Sequence, residues 1–111
     1  MEKLQANAFR QDRLLREGTW LVAFLADWCP FCQRFRPQLS AVEGEKGFRT
    51  AVGDVTSEES PLWESFRLDV VPTIVVFREG VPVFRVEGVL GMGLSSGGLE
   101  AARSAALGTK A

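Results

Sequence analysis

The sequence predicts an α/β domain organised on a mixed sheet. Three observations carry this. Trp20 to Ala26 reads Trp-Leu-Val-Ala-Phe-Leu-Ala, an unbroken apolar run of the kind found in a strand covered on both faces. Helix-period and strand-period stretches alternate along the chain, the pattern of strand–helix–strand units with parallel strands. Near the end, Thr73 to Phe77 and Val81 to Val86 flank the tight-turn tripeptide Arg78-Glu79-Gly80, which adds an antiparallel hairpin.

Taken in order, Leu4-Gln5-Ala6 is at most a short edge strand. Asn7 suits the N-cap of a helix from Ala8 to about Glu17, with Phe9, Leu14 and Leu15 as its buried side and Gly18 at its end. The apolar strand Trp20 to Ala26 follows. From Cys29 to about Glu43 the spacing of Phe31, Phe35, Leu39 and Val42 is helical, with Pro37 inside the helix. Gly44 and Gly47 bracket a turn into the strand Phe48 to Val55. Ser57 or Ser60 can cap a helix through Pro61, Leu62, Trp63, Phe66 and Leu68, where Pro61 suits a first-turn position. After the hairpin, Gly88 to Gly98 holds five glycines and reads as a loop. Leu99 to Leu107 is a last, Ala-rich helix. Trp20, Trp63 and Phe66 read as core, and no repeat or linker interrupts what reads as one domain over residues 1–111.

Composition narrows the chemistry. Thirteen basic against fourteen acidic residues leave a net charge of −1, with no basic stripe for nucleic acid. No apolar run approaches the ~20 residues of a membrane helix, and the polar start lacks a signal-peptide core, so the chain reads as cytoplasmic. There is no histidine and no tyrosine. That removes the usual general base and any Cys-His relay. Two cysteines without histidine cannot close a structural zinc site within one chain, so neither metal nor cofactor is expected.

Both cysteines lie in Trp28-Cys29-Pro30-Phe31-Cys32, directly after the apolar strand. Thiolate is the nucleophile of disulfide exchange. Cys29 falls at the start of the expected helix, where unpaired amides favour an anion. Cys32 lies one turn further in and more buried. That placement makes Cys29 the attacking sulfur and Cys32 the resolving one. Pro30 fits the first turn, Trp28 shields one side of the sulfurs and Phe31 adds apolar surface at the rim. A structural bridge across so short a loop would add little stability.

In these residues the chain resembles the thioredoxin family. Trp28 to Cys32 stands where that family has its redox motif. Pro37 matches its helix-kinking proline, and Val71-Pro72-Thr73 matches its Ile/Val-Pro-Thr segment. Gly80 and Gly88 fall at its hairpin turn and strand end. The resemblance covers about Phe9 to Leu107. It implies the thioredoxin fold, a central mixed sheet of four to five strands flanked by about four helices. It implies a cis peptide before Pro72, leaving the Val71 backbone beside Cys29 to pair with an extended substrate, with Thr73, Gly88 and Val89 around the same groove. It implies protein disulfides as substrates, a thioredoxin reductase as electron donor, and a monomer.

Three departures from the family stand out. Its buried aspartate falls at Ala23 and its partnering lysine near Val52, so both charges are replaced together. The dipeptide between the cysteines is Pro-Phe, closer to the Pro-Tyr of glutaredoxins. The loop from Val89 to Gly98 is longer and rich in glycine. Besides a disulfide reductase, a more oxidising oxidase or isomerase fits these residues, as does a non-catalytic binding module with incidental cysteines. A glutathione-linked iron–sulfur carrier is a more distant fit.

Overall fold

The structure, a computed structural model, describes residues 1–108. Five strands form the main sheet: β1 (Glu2–Leu4), β4 (Thr19–Leu25), β5 (Arg49–Asp54), β6 (Thr73–Arg78) and β7 (Val81–Glu87). Their order is β1-β5-β4-β6-β7. Both β1 and β4 run parallel to β5, and β6 and β7 run antiparallel to their neighbours. The apolar run is thus the central strand, with Leu21 to Phe24 fully buried. The β6–β7 turn has positive φ at Glu79 and Gly80, as a two-residue hairpin of matching twist requires.

The two faces of the sheet carry different layers. One holds Trp20, Val22 and Phe24 of β4 opposite Phe77, Val75 and Thr73 of β6. Phe24 and Phe77 join Phe9 and Phe66 there in a ring cluster, with centroids 4.8–6.0 Å apart. The other face holds Leu21, Ala23 and Leu25. It is covered by α1 (Pro30–Val42) and α3 (Ser96–Leu107), which bury Phe35, Leu39, Leu99, Ala102 and Ala106. Arg103 of α3 closes on the segment after α1 through Glu45, with Nε at 2.7 and 2.8 Å from the two carboxylate oxygens.

Among the described residues three α-helices, not about four, flank the sheet, and the missing one is the expected helix at 8–17. A hairpin stands there instead, β2 (Phe9–Arg10) paired with β3 (Arg13–Leu14) after a 3-10 turn at Ala6–Ala8. Phe9 and Leu14 are buried on one side of it, but Leu15 is exposed. Tertiary pairing overrides helix propensity here. The Leu14 amide donates to the Gly80 carbonyl at 3.0 Å, and Gln11 turns the chain at a φ of 54°. The Phe9-to-Leu14 spacing of five fits the hairpin pair and misses a helical stripe.

The helix expected through Leu68 is shorter. α2 spans Leu62–Ser65, and Arg67 ends it at a φ of 49°. Arg67 N–H donates to Glu64 O and Leu68 N–H to Trp63 O, which closes a Schellman motif without glycine. The Arg85 guanidinium then holds the Phe66 and Arg67 carbonyls from β7. In contrast, α3 begins earlier than expected, because the Ser95 hydroxyl caps it by accepting from Gly98 N–H at 3.1 Å. Among the described residues no helix is long and apolar enough to cross a membrane.

Candidate active site

Both cysteines are free thiols at the junction of β4 and α1. Cys29 is the N-cap of α1, with Pro30 in the first turn. Its sulfur accepts the Cys32 amide at 3.2 Å and faces the Val71 carbonyl at 3.6 Å. The helix start therefore supplies a donor to the sulfur itself. Cys32 is fully buried, while Cys29 retains 5% exposure. The Val71–Pro72 peptide is cis, and the Val71 carbonyl is the one that lies against Cys29.

Cys29 lies in the lining of an apolar cup of about 340 Å³, shared with Trp28, Pro30, Phe31, Val71 and Val89. Six of the residues expected at the site thus meet in one place. Pro72, Thr73 and Gly88 frame the cup without lining it. The Thr73 side chain is buried and donates to Val70 O at 2.8 Å. Gly88 N–H donates to Pro72 O at 2.9 Å, and a Cβ on Gly88 would come within 2.8 Å of that same oxygen. Only glycine lets the end of β7 approach so closely.

Two parts of the cup were not expected. Trp63, read from sequence as core, stacks on Trp28 with ring centroids 6.2 Å apart and planes 12° apart. Each indole N–H is held by a backbone carbonyl, that of Trp28 by Thr56 and that of Trp63 by Ser57. The pair makes a fixed wall. Leu90 also lines the cup. Its loop is closed by Val89 N–H to Gly93 O and Gly93 N–H to Val89 O, both 2.9 Å. That loop rests on Phe31, whose ring lies 3.1 Å from where a Gly93 Cβ would be, and Arg34 sits 4.8 Å from the same ring. The Pro-Phe dipeptide and the long loop are therefore one feature: Phe31 is the platform on which the loop sits. No periodicity signals such a contact, since it joins residues sixty apart.

A sequence profile of the thioredoxin family matches residues 1–96. The chain belongs to the thioredoxin family. It is 33% identical to a thioredoxin of Mycolicibacterium smegmatis over 77% of this chain and 79% of that one. It is 31% identical to a thioredoxin of Staphylococcus haemolyticus over 69% and 75% of the two chains. A crystal structure of thioredoxin f2 from Chlamydomonas reinhardtii superposes over 99% of both chains with a TM-score of 0.77 at 20% identity, a likeness of fold. With its paired cysteines in place, this thioredoxin-family chain is a thiol–disulfide oxidoreductase.

Behind the cysteines the site is apolar. Ala23 is paired in register with Val52 on one side and Ile74 on the other, all three buried. Burial pushes the Cys32 thiol up to about 12 from an ordinary 9.0, and its hydrogen-bonded neighbour Cys29 adds to this, against smaller opposing effects of a backbone hydrogen bond at Ala26 and of Arg36. A thiol whose pKa is raised by folding stays protonated in the native chain after the unfolded chain has ionised. The stability this gives the reduced protein is complete below pH 9 and is lost as pH rises towards 12. Reduced wild type should therefore lose stability relative to Cys32→Ser above pH 9, by at most ~1.4 kcal/mol per pH unit. Urea unfolding of the two proteins between pH 8 and 10.5 measures it, and parallel profiles would refute it.

Proposed function

We propose that the protein reduces disulfides in other proteins, with Cys29 as nucleophile and Cys32 as resolving residue. The contrast between the two sulfurs carries this reading. One borders an open apolar cup and accepts a helix-start amide, and the other is buried behind it. The Cys29 thiolate attacks one sulfur of a substrate disulfide, and the other substrate sulfur leaves as thiolate. Cys32, on losing its proton, attacks the Cys29 sulfur of the mixed disulfide. The second substrate thiolate leaves, and Cys29 and Cys32 become a disulfide. Two electrons have passed to the substrate.

Trp28, Pro30, Phe31 and Val89 supply apolar contact for the substrate. The Val71 backbone offers an edge to an extended segment, and Pro72, Thr73 and Gly88 hold that edge in place. In this reading residues 1–111 act as one monomeric cytoplasmic domain, recharged by a thioredoxin reductase. Titration of the Cys29–Cys32 couple against a glutathione or dithiothreitol buffer, together with an insulin-reduction assay, tests it. A potential near about −270 mV with reductase-dependent insulin reduction is expected, whereas a value near about −180 mV would make the protein an oxidase or isomerase. Full function after Cys29→Ser would make it a binding module.

A further inference from the structure

The cup beside Cys29 has features that the exchange chemistry does not require. We infer that it is a side-chain pocket: Trp63 and Leu90 select protein disulfides whose attacked cysteine is flanked by a bulky apolar residue in an extended segment. This rests on the reading of Cys29 as the attacking sulfur, because a flanking residue reaches the cup only when its cysteine is at Cys29.

Size, chemistry and rigidity point the same way. A volume of about 340 Å³ is at the small end of ligand pockets, which suits one large side chain and its neighbouring backbone. Two indoles in parallel stack form one wall, and their ring nitrogens are tied to Thr56 and Ser57 carbonyls. The two rings therefore meet a partner with little rotamer entropy left to lose. Leu90, which also lines the cup, is 85% exposed on a loop fixed at its base by the Val89–Gly93 bridge and seated on Phe31. A leucine held out in water in the lining of this cup recovers apolar burial once a substrate side chain fills it.

Charge excludes the main alternative. The only ionisable side chain lining the cup besides Cys29 is Asp69. Arg34, five residues past Cys29, sits over the Phe31 ring and lines a separate cleft, and Arg67, two residues before Asp69, lines another. A small anionic disulfide such as that of glutathione would find no cationic partner here and one repelling carboxylate.

The test is a single-turnover oxidation of the reduced protein by disulfide-linked peptide dimers, followed by tryptophan fluorescence. The peptides carry Phe-Cys-Phe, Ser-Cys-Ser or Glu-Cys-Glu cores with lysine tails for solubility. Wild type should react about tenfold faster with the Phe than with the Ser dimer, a difference of about 1.4 kcal/mol, and slowest with the Glu dimer. Leu90→Ser and Trp63→Ala should each bring the Phe/Ser ratio below about threefold, a loss expected when one apolar wall is removed. Val83→Ser, an exposed apolar residue on β7, should leave the ratio as it is. A wild-type ratio near one, or a ratio untouched by Leu90→Ser, overturns the pocket while leaving the oxidoreductase reading intact. Failure of every peptide to oxidise the protein would remove both.

Discussion

Cys29→Ser should abolish disulfide reduction, lowering turnover of insulin by at least roughly 10³-fold, as expected when a nucleophile is removed. Cys32→Ser should also stop turnover, but in a different state. Its first step remains, so one equivalent of a disulfide substrate should be captured on Cys29 as a stable mixed disulfide. Intact-mass spectrometry would show protein plus substrate for Cys32→Ser and unmodified protein for Cys29→Ser. The asymmetry follows from access. Cys29 borders the cup and accepts the Cys32 amide, whereas Cys32 has no exposed surface and reaches substrate only through the sulfur of Cys29. Equal capture by both variants would mean that either sulfur can meet substrate, and the assignment of roles would fall. The same comparison separates catalysis from a binding role, because a binding module would retain its partner in both variants.

What could be read from the sequence divides along a physical line. The central strand, α1 and the closing hairpin follow from local patterns: an unbroken apolar run, a helical stripe through Phe35 and Leu39, and a glycine turn. The cysteine motif and the Val71-Pro72-Thr73 segment were legible as resemblance, and the structure brings them within 3.6 Å of each other, Cys29 sulfur to Val71 oxygen. Residues whose conformation is set from outside their own segment were not legible. The stretch 8–17 has helical composition, yet Gly80, more than sixty residues away, offers Leu14 a backbone partner and a hairpin results. Trp63 looked like core because large aromatics usually are. Its place at the rim depends on stacking with Trp28 across a chain reversal. The glycines after β7 read as a loop, and they are one. Their sequence does not say that Gly93 must be small to sit on Phe31.

The apolar pair Ala23 and Val52, at or near the places where the resemblance puts a buried aspartate and lysine, makes a quantitative prediction about both stability and mechanism. Ala23 has no exposed surface, and its cross-strand neighbours Val52 and Ile74 are apolar. Ala23→Asp alone would bury a carboxylate with no partner, and should lower stability by about 3–5 kcal/mol in urea unfolding at pH 7. Ala23→Asp with Val52→Lys should recover more than half of that loss, since the lysine stands directly opposite in the parallel register and lies towards the β1 edge, where its stem can lead the charge outwards. Additive losses in the double variant would show that the two positions do not act as a pair. The mechanistic half concerns Cys32. With only apolar residues at these two positions, no carboxylate there can take its proton, and burial keeps its thiolate scarce at neutral pH. Resolution of a mixed disulfide in wild type should then accelerate steadily from pH 6 to 9, following the thiolate fraction, with no step near neutrality. Ala23→Asp alone should acquire such a step, because an unpartnered buried carboxylate has its pKa raised towards neutrality. Stopped-flow resolution profiles of the two proteins decide the matter. A carboxylate-like step in wild type would require a proton acceptor other than these two positions, and Asp27, which holds Arg36 at 3.3 Å on the exposed side of α1, would be the first residue to replace.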